Sequence, residues 1–124
     1  MLRVLLLSAA FALLAAPASA YPSRCVQPYA PTVPDGRTAT KAQLDSSKAQ
    51  VIDFIKQSDQ YQECLLLEIK TEREKAARKG KEFDKQIEID LRNSGDANQR
   101  EKERVGAEFN GASHTYYELH PKTQ

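Results

Sequence analysis

Residues 76–96, AARKGKEFDKQIEIDLRNSGD, decide how this chain folds, because they hold two places where a long helical pattern can reverse: Gly80 and Asn93-Ser94-Gly95-Asp96. Glycine ends helices readily, since without a Cβ it adopts the left-handed conformation that terminates one. Upstream, Thr40-Lys41-Ala42-Gln43 has the form of a capping box at a helix start. Apolar or small residues then recur at Leu44, Val51, Ile55, Ser58, Leu65, Ile69 and Ala76, with Ile52, Phe54, Tyr61, Leu66 and Leu67 widening the stripe. The spacing is helical and no proline interrupts it, so helix A is predicted over about 40–79. Downstream, Phe83, Ile87 and Leu91, then Val105, Phe109, Ala112, Tyr116 and Leu119, form a second helical pattern. Helix B is predicted over about 82–119, with 93–96 as a candidate break, since Asp96 and Gln99 are placed as another capping box.

Burial chooses between the two reversal points. A turn at Gly95 would fold the last helix onto residues 70–92 and leave Leu44, Val51, Ile52 and Ile55 without a helical partner. Each would then forgo roughly 1.5 to 3 kcal/mol of burial. A turn near Gly80 pairs residues whose numbers sum to about 160, so that Phe109 meets Val51, Val105 meets Ile55 and Tyr116 meets Leu44. The two richest apolar segments then cover each other, which favours Gly80. The apolar phase also runs unbroken from Ile69 to Ile87, so a single continuous helix is the competing arrangement.

The tract from Glu68 to Arg92 alternates in charge, as a solvated helix face does, with Glu74 and Arg78, and Glu88 and Arg92, at the favourable i,i+4 order. The first twenty residues differ altogether. MLRVLLLSAAFALLAAPASA has one charge, Arg3, an apolar run over 4–16 and the small-residue end Ala18-Ser19-Ala20. This is the pattern of a cleavable secretory signal peptide over 1–20. The run is shorter than the roughly twenty residues that span a bilayer, and no later stretch is apolar enough to do so, so no membrane anchor is expected after cleavage. Cys25 lies beyond the cleavage point, where a lipidated cysteine would directly follow the small-residue end.

Cleavage removes Arg3 and no acid, which takes the 18 basic and 17 acidic residues to 17 of each. A neutral chain has no long-range attraction to nucleic acid, which is not expected as a partner. The remaining 104 residues suffice for one domain, and with no tryptophan its core must be narrow.

Two cysteines in an exported chain are read as one structural disulfide, Cys25 to Cys64. Cysteines 39 positions apart lack the paired spacing of a metal site or the CxxC of a redox centre. Pro28, Pro31 and Pro34 in CVQPYAPTVPDGRTAT (25–40) are three apart, the repeat of polyproline II, with Cys25 and Pro22 on the same edge. Fifteen residues from Cys25 to Thr40 span about 47 Å in that form. Cys64 lies about 36 Å into helix A. After the Asp35-Gly36 turn, an arm over 21–39 is therefore long enough to run back along helix A to Cys64, its proline edge passing Phe54 and Tyr61. The disulfide tether argues against reading the arm as a free ligand for an SH3-like partner.

The string CVQPYAPTVPDGRTAT, with Val51 and then SDQYQECL (58–65), resembles a family of small exported proteobacterial proteins that has no established activity. Members share a cysteine with spaced prolines, a D/N-G turn before an A-T helix start, a Y-x-x-C-L sequence and a later F-N pair, here Phe109-Asn110. The resemblance covers mainly 25–66 and 105–117 and departs from the family pattern in the charged tract from Lys70 to Arg92. It implies a periplasmic location and an α-helical hairpin, and brings no catalytic residues.

Catalytic chemistry finds little support. His114 and His120, the only histidines, are six apart and point to different helix faces, while His114 and Glu118 at i,i+4 make at most a weak metal pair. No GxxxxGK[ST], GxGxxG or HExxH occurs, and a thin hairpin offers little concavity in which to desolvate a carboxylate. The expectation is an all-α fold: an antiparallel two-helix hairpin with an extended proline-rich N-terminal arm tied to the first helix by one disulfide, and a flexible tail at 120–124. No catalytic residue, metal or cofactor is expected. The chain reads as a periplasmic or secreted structural or interaction module acting on an envelope protein or on itself, with Tyr29, Asn110 and Tyr117 as candidate contacts. The alternative is a small-ligand or metal binder using the groove between arm and helix A.

Overall fold

The computed structural model describes residues 20–121; the signal peptide expected over 1–20, apart from Ala20, and the last three residues of the tail expected at 120–124 lie outside the described residues. Two helices, α1 (Lys41–Arg78) and α2 (Lys85–Leu119), pack against each other as an antiparallel hairpin. At the start of α1 the Thr40 hydroxyl accepts the Gln43 N–H at 3.2 Å, and the Gln43 side chain accepts the Thr40 N–H at 2.8 Å, closing the capping box.

The chain reverses at Gly80, which has φ +62°. The Lys81 N–H reaches the Ala76 carbonyl and the Gly80 N–H the Ala77 carbonyl, both at 3.0 Å. These two bonds satisfy carbonyls that the end of a helix otherwise leaves open, in the Schellman arrangement. Asp84 then caps α2 by accepting the Gln86 N–H at 2.9 Å.

Asn93 to Asp96 lie inside α2, which runs through them without a break. Gly95 costs a helix about 1 kcal/mol relative to alanine. Against this, only a straight α2 carries Val105 and Tyr116 back over the first half of α1, where both are buried. A Cβ on Gly95 would stand 3.7 Å from Leu65 Cδ1, so the glycine sits at the helix–helix contact. Cross-helix pairs such as Gln62–Asn98, Asp59–Lys102 and Arg73–Glu88 fix the register, with residue numbers that sum to 160 or 161.

The core is two clusters with a polar layer between them. Near the hinge, Tyr61, Leu65, Ile69 and Leu91 pack together, joined by Tyr21, Cys25, Phe83 and Ile87. Farther along, Val51, Phe54 and Val105 gather Ala30, Val33, Ile55 and Phe109. Between them Asn98 and Ser58 are fully buried, and the Asn98 amide donates to the Ser58 hydroxyl at 3.2 Å. Gln62 in turn donates to the Asn98 oxygen at 2.9 Å. A register shift would strand these buried polar groups without partners, so the layer fixes alignment where apolar contacts alone tolerate slippage.

The apolar stripe is narrower than its sequence pattern suggests. Ile52, Leu66, Leu67 and Leu119 are all more than half exposed, because a two-helix hairpin covers only about one side of each helix.

Candidate functional site

A two-helix hairpin has two long grooves, and here the arm fills one of them. Its bond to α1 is the disulfide Cys25–Cys64, at an S–S distance of 2.05 Å. From Thr40 the chain turns at Asp35, whose carbonyl accepts the Ala39 N–H at 2.9 Å, and runs back along α1. Gly36 is buried against α2: a Cβ built there would lie 2.0 Å from the Ala112 carbonyl oxygen. Only glycine lets the backbones approach this closely.

Burial along the arm repeats every three residues, the period of polyproline II. Pro28, Pro31 and Pro34 are half-buried; Ala30 and Val33 are half-buried and Gly36 buried; Val26, Tyr29, Thr32 and Asp35 are all exposed. Two edges of the rod thus face the helices, where the sequence pattern pointed to the proline edge alone. Ala30 and Val33 pack on the cluster containing Phe54, and Tyr21 and Cys25 on the cluster containing Tyr61. The third edge is free, and Tyr29 on it is 96% exposed. The space between arm and α1 is a shallow depression lined by Pro28, Tyr29, Gln57 and Tyr61 among others.

At its far end the arm is held by a buried carboxylate that sequence reasoning placed only in a solvated charged tract. Glu68 is 4% exposed and accepts the Ser23 hydroxyl at 2.6 Å, the Arg24 N–H at 3.2 Å and the Arg24 guanidinium at 3.3 Å. Burial pushes its pKa up, but these donors outweigh burial and hold it below the ordinary glutamate range. Cys25 Sγ lies 3.5 Å from the same carboxylate, a contact and not a hydrogen bond, since a disulfide sulfur carries no proton. Beyond it the Tyr21 nitrogen donates to Asp90 of α2 at 2.9 Å.

The second groove has no arm residue in it. Gln62, Leu65, Leu66 and Ile69 of α1 and Leu91, Arg92, Gly95, Asp96 and Gln99 of α2 line a depression there. Next to it toward the hinge, Arg73, Phe83, Glu88, Ile89 and Arg92 line another. The Arg73 guanidinium lies over the Phe83 ring at 5.3 Å, and Glu88 bridges Arg73 and Arg92, the latter at 2.8 Å. The other expected helical pair is not made in that form, Glu74 instead facing Lys70 at 3.9 Å.

Of the remaining candidate contacts, Asn110 is exposed, and Tyr117 is 42% exposed while its neighbour Tyr116 is buried. His114 Nδ1 lies 3.4 Å from Glu118, both exposed, and His120 stacks on Tyr116 at 4.3 Å. Among the described residues no group of three or more His, Cys, Asp or Glu side chains is placed to hold a metal ion. No described helix is long and apolar enough to cross a membrane. A scan against protein-family models and searches of curated proteins and of solved structures each return no match for this chain.

Proposed function

We propose that this is an exported, non-enzymatic module of the cell envelope that acts through protein contact, and that its working surface is the open groove of the hairpin. The observation that carries this reading is the contrast between the grooves. One is filled by a covalently held arm, while the other presents Leu66, 56% exposed, among the polar groups Gln62, Arg92, Asp96 and Gln99. An apolar centre inside a polar rim is the usual anatomy of a protein-contact surface. The disulfide, the leader pattern of residues 1–20 and the resemblance of the arm to small exported proteobacterial proteins support the export part of the reading.

Site-specific photocrosslinking tests it. A photoreactive residue at Leu66 should give one defined adduct in intact envelopes, either with a partner or with a second copy, whereas the same residue at exposed Lys48 should give none. Absence of an adduct at Leu66, or equal adducts at both positions, would overturn the reading.

A further inference from the structure

The nitrogen of Tyr21 is built into the fold. It donates to Asp90 Oδ2 at 2.9 Å across 69 residues of sequence, and Gln86 holds the other Asp90 oxygen at 2.8 Å. The Tyr21 ring packs on the hinge-side core cluster, while Ala20, one residue earlier, is exposed. Asp90 is the carboxylate at this nitrogen, while the nearby arm cation Arg24 is engaged elsewhere, by Glu68 and Glu72 of α1. An uncut chain offers Asp90 a neutral amide N–H. A chain that begins at Tyr21 offers an ammonium, which adds the attraction of a full positive charge to the same hydrogen bond.

We infer that the chain is cut between Ala20 and Tyr21, and that Asp90 is the receptor for the α-ammonium group this cut creates, which locks the end of the arm onto α2. The inference rests on the export reading above. The cut is a hydrolysis by a membrane-bound peptidase that prefers small residues one and three positions before the bond, here Ala20 and Ala18. Water adds across the bond from the Ala20 carbonyl carbon to the Tyr21 nitrogen; the leader leaves as a carboxylate and the acid proton passes to the amine. The fold thereby gains a second anchor. Cys25 ties the arm to α1 by a covalent bond, and the ammonium ties it to α2 by charge. The Tyr21 N–H, ahead of the Gln86 amide, holds the Asp90 pKa below its ordinary value, in keeping with a carboxylate that is already hydrogen-bonded at both oxygens.

The test exports the full chain and isolates the processed product. Intact mass and N-terminal sequencing should place its start at Tyr21; a start elsewhere, or no processing, overturns the cut. Gly-Ser is then inserted between Ala20 and Tyr21, leaving the cut intact but moving the ammonium two residues away, in the native chain and in Asp90→Asn. The insertion should lower Tm by about 4 °C in the native chain and by less than about 1 °C in Asp90→Asn. Equal drops in the two backgrounds, or no drop in the native chain, overturn the docking. The mass reports on export and the cycle on docking, so each fails distinguishably.

Discussion

The two grooves of this hairpin are lined by the same two helices, and they are used in opposite ways. The arm-side groove brings backbone within touching distance of backbone at Gly36 and Ala112, closes a disulfide and buries a carboxylate. The open groove leaves Leu66 and Ile89 about half exposed among polar and charged side chains such as Gln62, Glu88, Arg92 and Gln99. Stability therefore resides on the arm side. A hairpin of two helices buries little by itself, and the arm supplies the third layer on one side only. Substitutions facing the arm should therefore act on folding, and those facing the open groove on association.

The largest effect should come from cutting the covalent link. The chain-entropy account assigns a loop closed over 39 positions about 4 kcal/mol. Reduction, or Cys25→Ser with Cys64→Ser, should therefore lower Tm by about 20 °C in calorimetry. An unchanged Tm would remove the arm from the stability of the fold. Gly36→Ala should follow, because its Cβ would overlap the Ala112 carbonyl and force the arm off α2. Overpacking of this kind costs about 2 kcal/mol, readable as a lower urea midpoint.

Glu68 gives a pH signature. Its folded pKa lies below the unfolded one, so the stability it contributes is present above the ordinary glutamate value of about 4.3 and is lost as pH falls through the folded value. Glu68→Gln should cost about 1.5 kcal/mol near pH 7 and flatten the acid side of a Tm-against-pH curve. Leu66→Asp, on the open groove, should change stability least, within about 0.5 kcal/mol by urea unfolding. A loss as large as that of Gly36→Ala would make the open groove part of the core and dissolve the contrast.

Much of this fold was legible in the sequence because it depends on local signals. The Thr40–Gln43 box, the glycine at 80, the helical period and the register near 160 are all set by neighbours in the chain or by a simple covering argument. The length of the arm against the position of Cys64 was likewise a matter of rise per residue. What could not be read depends on partners far apart in sequence. Glu68 is one acid among many in a charged tract, and only Ser23 and Arg24, delivered by the arm, make its burial tolerable. Asn98 reads as a surface residue until Ser58 and Gln62 face it across the interface. The edge of Ala30, Val33 and Gly36 was hidden behind the more visible prolines, since small residues carry little periodic signal. In the candidate surface, Leu66 was assigned to the stripe because a wheel cannot say how much of it a single partner helix covers.

Both cysteines precede the hinge, and this bears on the order of assembly. The closed ring runs from residue 25 to residue 64, within the arm and the first 24 residues of α1, and contains nothing of the returning helix. Covalent closure and helix pairing are thus separable in time: the ring needs only what a ribosome has made by Cys64. A chain that threads through a narrow channel from its N-terminus can lock its first helix and arm together before the second helix arrives. The late segment then meets a surface whose shape is already decided.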